Sequence, residues 1–121
     1  MEYFKFSKEF SITPEDQLLE GVSISPITSP MAPSGIFQAA IFRIEPGGAI
    51  HRHRATTPQI IGVLGGKGEV AGEDGIFQQV REGDGVFIAS GEEHETRSKE
   101  GMTALILEGD TLRPFGRHHD S

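Results

Sequence analysis

The chain has no cysteine. That removes disulfide cross-links and thiolate metal sites together, so any metal ligand must come from histidine, carboxylate or amide groups. Basic residues are few: 11 Lys and Arg stand against 18 Asp and Glu, for a net charge of −7. A chain of that sign lacks the basic stripe that phosphate backbones require, and anionic membrane surfaces repel it. No apolar run reaches signal-peptide or transmembrane length, and the N-terminus reads Met1-Glu2-Tyr3-Phe4-Lys5-Phe6. Neither a nucleic acid nor a membrane is expected as a partner, and the cytoplasm is the default location. Histidine is scarce as well: of five, two (His118 and His119) fall in the polar tail.

Glycine is plentiful. Sixteen Gly and 7 Pro in 121 residues point to many turns and short connections, which favours an all-β chain. The length suits one domain with its own core. The expected organisation is a single domain over 1–121, with a barrel core over about 21–110 and a loose polar tail over about 113–121.

Along the chain, Thr13-Pro14-Glu15-Asp16 carries helix-start chemistry: a cap, a proline, then acids. It predicts a short helical turn ending near Gly21. Residues 22–27 alternate as a half-buried strand does. Thr28 to Gly35 reads as a loop. From Ile36, Gln38, Ala40, Phe42 and Ile44 share one face, and Phe37, Ile41, Arg43 and Glu45 the other. Pro46-Gly47-Gly48 reads as a turn. Further strands are predicted over 50–54, 59–64, 69–71, 76–80, 86–89, 94–98 and 102–108, with a hairpin at Gly72-Glu73-Asp74-Gly75. Roughly nine to eleven short strands at this spacing indicate a sandwich or barrel.

His51 and His53 are two apart, and on a strand such residues share a face. With both imidazoles inward, Arg52 and Arg54 point to water. The reverse would bury two guanidinium groups at high cost. Gln59 opens the next strand and heads a row with Ile61 and Val63. His94 can join only through the fold. Ser90 and Glu92, Glu93 and Glu95 read as turn and solvated groups, and Gly65-Gly66-Lys67-Gly68 lacks the spacing of a phosphate loop. No carboxylate is evident on an inward face, so no catalytic residue is assigned.

The stretch Pro46 to His53, followed by Gln59 to Val70, resembles the first cupin motif: His-X-His, a few residues, Glu, six residues, Gly. Gly83 to His94 is similar to the second. Together and in order, with their glycines, the two motifs imply a small single-domain cupin, an all-β double-stranded β-helix or jelly-roll barrel. The resemblance covers about residues 36–108, with 21–27 as an added strand. It implies a divalent metal (Zn, Ni, Fe, Mn or Co) held by His51, His53, His94 and Gln59.

Four features depart from the family pattern. Gln59 stands where Glu is usual. Five residues, not three or four, separate it from His53. Ala89 replaces a proline, and no Asn follows His94 at the family's spacing. A neutral amide leaves a bound metal near +2, which predicts stronger Lewis acidity and a preference for anionic or enolisable substrates. The three-His-plus-Gln set is similar to that of small zinc-dependent polyketide cyclases. The implied activity is a small-molecule metalloenzyme of cyclase, isomerase, lyase or dioxygenase type, with a non-catalytic binding or sensor protein as the alternative. Gln38, Phe42 and Ile61 are the expected pocket residues. Strands 37–42 and 60–64 are apolar on both faces. They call for a second sheet, an N-terminal cover or a subunit partner, and the resemblance points to a homodimer.

Overall fold

The computed structural model describes residues 1–28 and 37–115. Most of the loop expected after Thr28, and His118 and His119, lie outside the described residues. Seven strands form one closed all-β barrel: β1 (Leu19–Pro26), β2 (Gln38–Arg54), β3 (Gln59–Ala71), β4 (Phe77–Arg81), β5 (Gly85–Ile88), β6 (Glu93–Ser98) and β7 (Met102–Glu108). The seven replace the larger number expected because β2 and β3 are long, bent strands that serve both walls. The first half of β2 pairs with β7 and its second half with β6, while β1 follows β2 across the bend, from Ala40 to Ile50. Likewise β3 pairs first with β5 and β7, then with β4 and β6. The two walls therefore run β5-β3-β7-β2-β1 and β4-β3-β6-β2, joined through the shared strands. This is the double-stranded β-helix that the two motifs imply.

The bend in β2 falls at Pro46-Gly47-Gly48, where a turn was expected. At Gly48 the chain crosses so closely that a Cβ would lie 2.7 Å from the Glu20 carbonyl oxygen and 2.9 Å from that of Glu45. Only glycine fits there without moving the backbone.

The helix expected after Thr13 does not form. Asp16 instead accepts the Leu18 amide on its side chain at 2.9 Å and the Leu19 amide on its carbonyl at 3.0 Å. This Asx-type turn aims the chain into β1, and Ile12 bridges Ile24 across it. The one helical turn among the described residues is a 3-10 turn at Lys8–Phe10.

Inside, side chains stack in layers. Gln38, Glu108, Gln59 and Ile88 face one another across β2, β7, β3 and β5; beneath them come Ala40, Ile106, Ile61 and Val86, then Phe42, Ala104 and Val63. On the opposite wall Ile50, Thr96 and Val70 form a comparable row. The buried core runs from Val22 and Ile44 through Val63 and Met102 to Ile88. Ile41, on the outer face of β2, is also buried, and Arg43 beside it reaches the Ser25 hydroxyl and the Phe6 carbonyl. The N-terminal segment thus covers part of the outer apolar surface. No helix among the described residues is long and apolar enough to cross a membrane.

Candidate functional site

The candidate residues come from strand ends that gather at one mouth of the barrel. Gln59 lies opposite Ile88 and His53 opposite His94, and the connections between them are hydrogen-bonded to each other through Ala55, Gly91 and Glu92, which sets both pairs at the same end. His53 lies directly opposite His94 in the β2–β6 pair. Their rings are 4.4 Å apart between centroids and tilted by 56°. His94 is buried, on the same inward row as Thr96 and Ser98.

Each of these rings is fixed by a backbone carbonyl. His53 Nδ1 lies 2.8 Å from the His51 oxygen, and His94 Nδ1 lies 3.2 Å from the Glu92 oxygen. A carbonyl oxygen can only accept, so Nδ1 must carry the proton in both rings. The neutral tautomer then leaves a bare lone pair on each Nε2, the form in which imidazole binds a metal or a hydrogen-bond donor.

Burial also favours this neutral form. It pushes the His94 pKa below its ordinary value of 6.5, with the Glu92 carbonyl working the other way and the charge of His53 lowering it further. Because the folded value is depressed, the unfolded chain takes up the proton more readily. The stability from the neutral ring is present above pH about 6.5 and lost as pH falls through the folded value. Metal-free protein is therefore expected to lose melting temperature between pH 7 and 5, and His94→Gln to lose less over that interval. Equal slopes in thermal melts would contradict this origin.

His51 is not brought to the pair. Between Ile50, opposite Thr96, and His53, opposite His94, two residues of β2 face the single Glu95 of β6. This bulge turns His51 and Arg52 outward together. His51 Nε2 instead meets Glu20 Oε1 at 2.9 Å, on a side chain 49% exposed. The expectation that Arg52 and Arg54 point outward holds. Arg52 binds Glu93 and the Gly72 and Glu73 carbonyls, and Arg54 binds Glu93 and the Gly91 carbonyl. Glu92 caps the second-motif turn by accepting the Ala89 amide, and Ser90 reaches the Thr56 carbonyl. These are turn-forming roles.

Gln59 is buried at the head of β3, and its Nε2 donates to Glu108 Oε1 at 2.9 Å. Glu108 is the inward carboxylate that sequence reading missed. The signal was present: Met102, Ala104 and Ile106 alternate as buried residues, and Glu108 is next in that row. Its carboxylate stands beside the neutral amide of Gln59, in the place where a carboxylate at position 59 was absent. Gln38 lies opposite Glu108 at the exposed rim, Ile61 is buried one layer down, and Phe42 is half-buried against the core.

Among the described residues no group of three His, Cys, Asp or Glu side chains comes together to hold a metal. The candidate donors at this end are the two Nε2 lone pairs of the imidazole pair and, separately, the Gln59 amide oxygen, whose nitrogen is held by Glu108. Two imidazoles and an oxygen suit the chemistry of a divalent first-row ion. In this structure His51 stands apart from the pair, on Glu20.

The comparisons with known proteins agree with this architecture. The polyketide cyclase RemF from Streptomyces resistomycificus superposes with a TM-score of 0.77 at 16% identity, covering 95% of this chain and 88% of that one. An RmlC-like cupin from Shewanella frigidimarina gives 0.69 at 17% identity, covering 96% and 97%. A predicted oxalate decarboxylase from Thermotoga maritima gives 0.64 at 22% identity, covering 71% and 77%. At these identities the likeness speaks for the fold. No curated protein matches. The family model described as a cupin domain matches residues 40–108, a range that spans both histidine motifs, and on that match the chain belongs to the cupin family.

Proposed function

We propose that this cupin binds a divalent metal ion at the barrel mouth through His53, His94 and Gln59, and uses it to convert a small organic molecule held over Phe42 and Ile61. The observation that carries this reading is the pair of facing imidazoles, each with Nδ1 tied to a carbonyl and Nε2 left as a lone pair. A divalent ion at this point supplies Lewis acidity toward a substrate oxygen.

The chain's own residues do the remainder. Ala40, Ile106, Ile61 and Val86 form an apolar layer below the mouth that holds the body of a ligand out of water. Glu108 provides a carboxylate oxygen at the rim that can accept a proton from a bound enol or hydroxyl. The polyketide cyclase among the structural neighbours makes enolisable ketones the first substrates to test.

Equilibrium dialysis against Zn, Co and Ni, with the chain ended before His118, tests the reading. It predicts one ion per chain. Failure to retain any of the three, in protein that is still folded, would contradict it. Metal-loaded protein that binds ligands without turnover would instead be a sensor.

A homodimer is part of the same proposal. Tyr3, Phe4, Phe6, Phe10, Phe37 and Leu64 are exposed, and a second copy would cover them. Sedimentation at micromolar concentration is expected to give twice the chain mass, and a monomer would refute it.

A further inference from the structure

We infer that Glu108 is a positioning residue for Gln59: it holds the amide so that its oxygen, and not its NH2 group, serves the barrel mouth. The geometry is that of two facing residues. Gln59 and Glu108 are directly opposite across β3 and β7, and the amide nitrogen donates to the carboxylate at 2.9 Å. A carboxylate has no hydrogen to give, so only the NH2 end can face it. Flipping the amide would set oxygen against oxygen in a buried position. Among the described residues Oε1 accepts no protein hydrogen bond, so it is the end left for a ligand.

The consequence is a rule about what the mouth can bind. His53 Nε2, His94 Nε2, Gln59 Oε1 and the second oxygen of Glu108 all present lone pairs, and none presents a hydrogen. Without metal the site takes cations and hydrogen-bond donors such as ammonium, phenol or enol groups. Among the described residues, these four atoms offer an anion no hydrogen while both rings keep the Nδ1–H form. The pair also accounts for a glutamine in the place where the family motif has glutamate. Charge and amide are divided between positions 59 and 108, whereas glutamate at both would set two carboxylates against each other in a buried place.

The metal consequence rests on the proposed function, while the amide orientation does not, and the experiment separates them. Zinc affinity is measured for the tail-shortened wild type, Glu108→Gln and the exchanged pair Gln59→Glu with Glu108→Gln. Glu108→Gln keeps an acceptor but can also donate, so it no longer dictates which end of Gln59 faces it; a weakening of metal binding toward the roughly 10- to 100-fold typical of a disturbed partner behind a ligand is expected. The exchanged pair restores one carboxylate and one amide in reversed order and is expected to recover near wild-type affinity. A purely structural hydrogen bond would leave affinity unchanged in all three, and that result would overturn the inference. So would an exchanged pair no tighter than the single variant. If the wild type binds no zinc, the proposed function falls. The side-chain amide resonances of Gln59 in metal-free protein then decide the orientation alone. A shifted NH2 pair that reverts in Glu108→Ala supports it, and resonances indifferent to position 108 overturn it.

Discussion

Replacing His94 by alanine is expected to reduce metal content from one ion per chain to almost none, in protein that still folds without metal. His94 is the buried member of the imidazole pair, and its ring is already fixed and neutral before any ion arrives. Removing one of two nitrogen donors leaves His53 and an amide oxygen, too little to hold a divalent ion against buffer. His53→Ala is expected to behave in the same way. His51→Ala should differ, because the bulge turns that ring outward onto Glu20, so its metal content is expected to stay near wild type. Elemental analysis of the three variants, each lacking His118 and His119, makes the comparison. A loss in His51→Ala as deep as in His94→Ala would mean that β2 gives up its bulge on loading and Glu20 releases the ring.

The second large effect concerns stability. Gly66 closes the first motif, and its φ is +73°. It faces Met102 across β3 and β7 beside a register shift. A Cβ there would press on the Gly101 carbonyl oxygen and lie 3.0 Å from the Met102 Cα. Both neighbours are backbone, so neither can swing aside as a side-chain tip would. Gly66→Ala adds the cost of a left-handed conformation to that of separating two strands, together about 3 kcal/mol or more. The melting temperature should fall by roughly 10 °C or more. Gly75→Ala is the control, because it shares a positive φ but has open space around it. It should lose only the conformational part. Equal losses in the two variants would show that the close approach at Gly66 contributes nothing.

The physics also shows why some of this was legible in sequence and some was not. Alternation reports one face of a regular strand, so the inward rows Phe42-Ile44 and Gln59-Ile61-Val63 could be read directly. The hairpin at Gly72–Gly75 and the strand Met102–Glu108 were equally local in origin. A bulge is different, because it is a relation between two strands. Nothing in Ile50-His51-Arg52-His53 says that Glu95 will face two residues at once, yet this single slip moves His51 from the inside to the outside. The bend in β2 at Pro46-Gly47-Gly48 was mistaken for a turn because glycine marks both, and only the partner strands decide which forms. At Thr13-Pro14-Glu15-Asp16 an Asx turn and a helix start use the same residues, and the bridge from Ile12 to Ile24 selects the turn. Glu108 was readable from alternation but is the last residue of its strand, where a charge is ordinarily assumed to meet water.

The most direct measurement is X-ray absorption on the zinc-loaded, tail-shortened protein, which counts imidazoles around the metal. The structure predicts two imidazole nitrogens with the rest of the shell made of oxygen. A shell with no imidazole scattering would contradict the site at His53 and His94.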